Sequence, residues 1–187
     1  LRIKREKRYR WPWIIGMFWS SVPEMATIRL ENVSFSYPGS NDPTLRDLHL
    51  AVEHGSTHAL LGASGAGKTT LLTAIASLMV QDGARVAVID TDPQRHLEAW
   101  AKKEQTDLDW LYEEDDEKLI PTVKALKKAD PAYDAIFVDT AGFKSAMAMH
   151  AIAAANLILI PSKANEADAK VAKRTFSHVQ SVAETME

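Results

Sequence analysis

Eight consecutive residues, Gly62-Ala63-Ser64-Gly65-Ala66-Gly67-Lys68-Thr69, follow the pattern G-x-x-x-x-G-K-[ST]. The glycines allow the backbone to curl until successive N–H groups point inward, an arrangement suited to phosphate oxygens. Lys68 reaches toward β- and γ-phosphates, and the Thr69 hydroxyl is a ligand for Mg2+. The nucleotide cradle expected here comprises Gly62, Ser64, Gly65, Ala66, Gly67, Lys68, Thr69 and Thr70. Two more stretches carry carboxylates after apolar runs: Ile89-Asp90-Thr91-Asp92-Pro93-Gln94 and Phe137-Val138-Asp139-Thr140-Ala141-Gly142. Carboxylates at strand ends beside a phosphate loop can hold Mg2+ and orient water. They can also cap the helices that follow, and the two roles are compatible.

These residues need a scaffold, and the apolar pattern supplies one. His58-Ala59-Leu60-Leu61 is a short buried strand leading into the glycine-rich turn, followed by a helix over about Lys68–Gln81. Val86–Ile89 is another buried strand. Then come a helix over about 94–104, a weak strand near Leu108–Tyr112, and a helix ending near Lys128. Ala135–Val138 and Leu157–Ile160 read as strands, with helices over about 144–154 and 166–184. Strands alternating with helices and apolar on both faces imply a parallel sheet covered on both sides. Ligands of such sheets bind at the carboxyl ends of the strands, where all three motifs fall. Upstream, Ile28, Leu30, Val33 and Phe35 alternate, with a slip at Glu31-Asn32 that suggests a bulge. Leu48, Leu50 and Val52 alternate again, giving a second strand antiparallel to the first. The acidic run Glu113–Glu117 reads as a solvated helix start, and Pro121 places the beginning of the regular helix near itself.

Composition narrows the classes. The chain has 187 residues, 46% hydrophobic and 25% charged, the balance of a folded domain and not of a disordered or collagen-like chain. It has no cysteine, which excludes disulfide scaffolds, Cys-ligated zinc and thiol catalysis. Its net charge of −3 is uneven. Residues 1–24 hold six basic and two acidic side chains and three of the five tryptophans, leaving a net of −7 for the rest. The run WPWIIGMFWSSV is about 12 residues long, against roughly 20 for a spanning helix. Signal peptide, interfacial anchor and disordered leader ahead of Met25 are the readings it admits, the last being preferred. The six histidines show no metal-ligand spacing and read as structural or surface residues. Lys170, Lys173 and Arg174 form a basic patch on the last helix, read as a solvated face with DNA phosphate contact as the alternative.

GKTT (Gly67–Thr70), VAVIDTDPQ (Val86–Gln94), YDAIFVDTAG (Tyr133–Gly142) and NLILIPSKANEADAK (Asn156–Lys170) together resemble the ParA/MinD family of P-loop ATPases, closest to its short VirC-type members. The resemblance covers residues from about 67 to the end. It implies ATP and Mg2+ as ligands, Asp92 as the residue that positions the attacking water, Asp90 as support for the metal, and Asp139 as the Walker B residue. Lys68 and Asp92 are then the catalytic pair, and Thr69, Asp90 and Asp139 the metal set. It also implies a nucleotide-dependent homodimer, non-specific DNA as a partner, and a cytoplasmic location. One departure stands out: Ala63 occupies the place of the family's signature lysine, which reaches the partner's phosphates across the dimer.

IRLENVSFSYPG and LRDLHLAVEHGSTHALLGASGAGKTTLL, within residues 25–72, are similar instead to the opening of an ABC-transporter ATPase. That similarity makes Tyr37, 25 residues before Gly62, an adenine-stacking aromatic, with an ordinary strand-edge aromatic as the even alternative. No LSGGQ-like signature is present, and Thr140 stands where that family has a glutamate. The chain therefore reads as a chimera of α/β class. Residues 1–24 are the leader, 25–56 an antiparallel β segment, and 57–187 a P-loop NTPase core cut short relative to the family. Three functions stay open: a ParA/MinD-type ATPase with weak hydrolysis, an ABC-type ATP-binding subunit working with a membrane permease, and an inactive fusion product.

Overall fold

A computed structural model describes residues 2–6, 27–36, 45–104, 108–163 and 165–185. They fall into two compact units, Leu1–His54 and Gly55–Glu187.

The first unit is a three-stranded antiparallel sheet ordered β1-β2-β3, with β1 Arg2–Glu6, β2 Thr27–Phe35 and β3 Leu45–Glu53. Ile28, Leu30, Val33 and Val52 are buried. Leu30 pairs with Leu50 but Val33 with Leu48, so Glu31 and Asn32 together face one residue of β3. This is the expected bulge, and Asn32 adopts φ 54° within it. The extra residue lets Val33 point the same way as Leu30, which strict alternation would forbid. Arg2–Glu6, part of the leader in the sequence, pairs with β2 from Arg2–Glu31 to Glu6–Thr27. The remainder of residues 1–24 and Tyr37 lie outside the described residues.

The second unit is built on a parallel sheet ordered β6-β5-β7-β4-β8. Its strands are β4 Ser56–Leu60, β5 Val86–Asp90, β6 Asp109–Tyr112, β7 Ala135–Asp139 and β8 Leu157–Leu159. The helices are α1 Lys68–Gln81, α2 His96–Glu104, α3 Asp116–Lys127, α4 Ala146–Ala154 and α5 Glu166–Glu184. β4, β5 and β7 are buried along their whole length; β5 and β7 are apolar runs ending in an aspartate, whereas β4 buries Ser56, Thr57 and His58 ahead of Ala59 and Leu60. Alternate residues serve opposite faces. Ala59, Leu61, Ala87, Ile89, Ile136 and Val138 join Leu119 and Val123 of α3 and Ala148, Ala151 and Ile152 of α4 in one cluster. On the other face α1 packs against β5, β7 and α2 with Leu72, Ile75, Ala76 and Met79 buried. The sheet is thus covered by helices on both faces. Among the described residues no helix is long and apolar enough to cross a membrane.

One boundary differs from the sequence reading. α3 begins at Asp116, and Pro121 lies inside it. The Asp115 side chain caps the helix by accepting from the Glu117 N–H at 3.1 Å, and Asp116 and Glu117 complement the positive end of the helix dipole. Leu119 and Val123, four residues apart, are both buried. Capping and burial outweigh the proline, whose missing N–H leaves only the exposed Glu117 carbonyl without its helical donor. α4 likewise begins later than expected, because Ser145 caps it through the Ala148 N–H at 3.1 Å.

β4 carries an ionisable side chain into this core. His58 is buried, stacks on Phe137 with ring centroids 5.2 Å apart, and shares a 2.6 Å hydrogen bond with Ser56 Oγ. Burial lowers its pKa from 6.5 to about 4. The unfolded chain binds a proton at His58 near pH 6.5 while the folded protein does not, so stability falls as pH drops from about 6.5 to about 4. His58→Phe keeps the stacked ring and removes this titration. Urea denaturation at pH 7 and pH 4.5 should show the native protein losing about 2 kcal/mol more than the variant over that interval. Equal losses would mean that His58 is protonated in the fold.

Candidate functional site

Strand register builds the site. Leu60 pairs with Asp139, and Asp139 pairs with Asp90, so the last residues of β4, β7 and β5 form one row. The phosphate loop leaves β4 two residues beyond that row. Gly65 and Gly67 have φ of 75° and 94°, left-handed conformations that side chains rarely adopt. Gly67 is also the N-cap of α1, with no side-chain cap and no acidic residue in the first turn. The positive end of the helix is left facing an open cleft of about 340 Å3, lined by Ser64, Gly65, Gly67, Lys68, Thr69, Thr70, Asp92, Gln94 and His96.

Lys68 is buried, and its Nζ donates to Gly62 O at 3.0 Å and Ala63 O at 2.9 Å. Burial pushes its ammonium below the usual pKa, while Asp139 and Asp92 act in the opposite sense. Its two acceptors are neutral carbonyls of the loop, weaker partners than the anionic oxygens of a phosphate. Thr69 Oγ1 donates to Asp139 Oδ2 at 2.7 Å. The other carboxylate oxygen, Asp139 Oδ1, is buried with no hydrogen-bond partner, and so is Asp90 Oδ2. Burial raises both acids, Asp139 to about 6; the neighbouring Asp90 and Asp92 carboxylates push Asp139 further up, and Asp92 does the same to Asp90.

Two side-chain turns then carry the chain from β5 to α2. Asp90 Oδ1 accepts from the Asp92 N–H, and Asp92 Oδ1 from the Gln94 N–H, both at 2.9 Å. This sets Asp92, Gln94 and His96 on the wall facing the phosphate loop. Arg95, at φ 50°, is anchored by stacking its guanidinium 3.9 Å from the Tyr112 ring centre. Thr140 is buried, and its hydroxyl donates to Leu60 O at 2.8 Å, which ties β7 to β4. Ala63 lines a small pocket together with Pro161, Ser162, Asp168, Val171 and Ala172.

The structure therefore gathers Ser64, Gly65, Gly67, Lys68, Thr69, Thr70 and Asp92 around one cleft, with Asp139 buried and bonded to Thr69 and Asp90 next to Asp139 in the strand-end row. Gly62 holds Lys68, and Ala66 turns the loop with its N–H on Ala63 O at 3.2 Å. Gln94, the last residue of the VAVIDTDPQ run, and His96, the first residue of α2, line the wall as well; the sequence alone reads His96 as a structural or surface residue.

The donor set fits a hard cation. Two buried carboxylates, each with an unpartnered oxygen, stand next to a hydroxyl at the mouth of an anion cradle, and Mg2+ takes oxygen ligands of this kind. Asp139, Asp90 and Thr69 would hold it.

Comparison with known proteins places this geometry. The Protein virC1 of Rhizobium radiobacter is 32% identical over 121 residues, covering 62% of this chain and 52% of that protein. The chain thus spans about half the length of this curated relative. A second similarity is to the taurine import ATP-binding protein TauB of Pseudomonas entomophila, 39% identical over 64 residues, or 34% of this chain and 25% of TauB. ParA-like and ABC-ATPase-like similarity are both present, as the two sets of motifs imply. A plasmid partition protein from Borrelia burgdorferi B31, solved bound to AMPPNP, superposes with a TM-score of 0.54 at 17% identity over 68% of this chain and 71% of that one. The pNOB8 ParA bound to nonspecific DNA gives 0.53 at 18% identity over 65% and 58%. Both share the fold. Residues 57–187 match the VirC1 protein family, and the chain belongs to that family of ParA-like P-loop NTPases.

Proposed function

We propose that this protein binds Mg-ATP and hydrolyses it slowly, as a cytoplasmic partitioning or positioning ATPase of ParA/MinD type. The observation that carries the reading is the pair of unpartnered buried carboxylate oxygens on Asp139 and Asp90 beside Thr69, under a phosphate loop whose lysine has only carbonyl partners. The glycine-rich loop and the α1 N-terminus bind the phosphates, and Lys68 exchanges its carbonyl partners for phosphate oxygens. Bound there, the metal would neutralise phosphate charge. Asp92, fixed by two side-chain turns, orients water. Slow turnover follows from Ala63, which brings no charge to a partner's phosphates in the homodimer we propose. An ABC-type role is less supported: the residue after Asp139 is Thr140, whose hydroxyl is committed to a backbone carbonyl and cannot act as a base toward water.

A second surface favours a nucleic-acid partner. Lys144, Lys170, Lys173 and Arg174 surround a groove of about 480 Å3 with Phe143, Ser177 and His178. Lys170 is paired with Glu166, whereas Lys173 and Arg174 have no acidic partner among the described residues. Such a cluster on an acidic protein suits a phosphodiester backbone.

Four measurements test these readings. Saturating Mg-ATP should raise the melting temperature by about 5 °C, and Lys68→Ala should abolish the shift. No shift in the native protein would identify an inactive fusion product. Fast turnover that Asp92→Ala leaves unchanged would contradict the assignment of the water-positioning residue. Asp139 ionises near pH 6 in the fold but near 3.8 when unfolded, so its charge lowers stability as pH rises between those values. In EDTA at pH 7.5, Asp139→Asn should therefore gain about 1–2 kcal/mol of stability while losing Mg-dependent nucleotide binding. A loss of stability would mean that the carboxylate is satisfied in the metal-free fold. Finally, Lys173→Glu with Arg174→Glu should weaken binding to a random DNA duplex about tenfold and flatten its salt dependence by about two units in log–log slope. Unchanged affinity would assign the groove to solvent.

A further inference from the structure

The cleft is poorly supplied with positive charge for the ligand proposed above. Asp92 lines it, Asp139 is bonded to its Thr69, and Lys68 is the one lysine or arginine lining it among the described residues. A phosphate loop's N–H groups and helix N-terminus suit the α- and β-phosphates of a nucleotide, so a terminal phosphate would face the opposite wall of the cleft.

That wall presents a built pair of polar side chains. His96 Nε2 lies 2.7 Å from Gln94 Oε1. The amide oxygen can only accept, so Nε2 carries the proton and donates. The bond holds the Gln94 side chain against the first residue of α2 and leaves its amide N–H groups as donors with no protein acceptor among the described residues. The Gln94 N–H is already held by Asp92 Oδ1 and the Arg95 N–H by Asp92 O, each at 2.9 Å, so the wall is fixed relative to the water-positioning carboxylate. Stacking of Arg95 on Tyr112 ties the same turn to β6. Neither Gln94 nor His96 is needed to make the turn, because the turn is closed by backbone groups and Asp92. Both side chains line the cleft, and His96 also acts electrostatically on Asp90, favouring its ionised form.

We propose that the hydrogen-bonded pair Gln94–His96 recognises the terminal phosphate of a nucleoside triphosphate, supplying hydrogen-bond donors from the wall opposite the phosphate loop. Gln94 donates from its amide nitrogen, and His96 fixes that amide in the donating orientation. The pair therefore makes the site discriminate triphosphate from diphosphate without bridging to a second copy. This inference rests on the nucleotide-binding reading of the cleft.

The test is the ratio of ADP to ATP dissociation constants, measured by isothermal titration in Mg2+. The native protein should prefer ATP. Gln94→Ala should weaken ATP about tenfold, the worth of a hydrogen bond to a charged group, and leave ADP unchanged. His96→Ala should lower the ratio less, and His96→Asn, which can still donate to Gln94 Oε1, should restore part of it. Melting temperatures of the ligand-free variants should match the native protein, since neither side chain closes the turn. Equal weakening of ATP and ADP, or no change in either, overturns the proposal and leaves the pair as a surface contact. If the native protein binds neither nucleotide, it is the nucleotide-binding reading itself that fails.

Discussion

The structure turns on one row of three residues. Because β4, β7 and β5 are parallel and in register, Leu60, Asp139 and Asp90 end their strands side by side. The register is imposed by the apolar residues behind them, which are buried without exception. A slip of one residue in any strand would send its hydrophobic set to the wrong face, so the core fixes where the carboxylates stand. They end up desolvated, close together, and each short of one hydrogen bond. The metal-free fold tolerates this instead of profiting from it. A buried acid whose pKa is raised costs stability at neutral pH. That arrangement makes sense where a cation and a phosphate chain complete it, and the phosphate loop begins two residues beyond the same row.

Much of this was legible in the sequence because it is local. The Gly62–Thr69 pattern fixes backbone conformation through glycines and places a helix start directly after itself, and α1 begins at Lys68 as expected. The alternation broken at Glu31-Asn32 signals a bulge for the same reason: register is a two-residue rule, and a violation of it shows. What was not legible depended on competition or on distance. Pro121 looks like a boundary until the Asp115 cap and the burial of Leu119 and Val123 are weighed against it. His58 and His96 are alike in sequence, yet one is stacked in the core on Phe137 and the other lines the cleft. The basic groove joins Lys144 to residues about 26 to 30 positions away, which no linear pattern reports.

The two similarities meet at the phosphate loop, and that is chemically reasonable. Both ATPase groups use the same strand, loop and helix to hold phosphates, so a chain combining them keeps that element intact. What differs is the machinery added to it. On the ABC side the position after Asp139 is a threonine that binds Leu60 O, a structural tie between neighbouring strands. On the ParA side the lysine position is Ala63, which lines a small pocket with Pro161 and Ser162. Thr140 is satisfied within the scaffold by its bond to Leu60 O.

The central claim is that Asp139, Asp90 and Thr69 together with the phosphate loop form one metal-dependent nucleotide site. Isothermal titration of AMPPNP into the native protein, once with Mg2+ and once with EDTA, tests it most directly. Binding should be at least tenfold tighter with Mg2+, because the cation supplies the unpartnered carboxylate oxygens with their missing interaction. Equal affinity in the two titrations would contradict it.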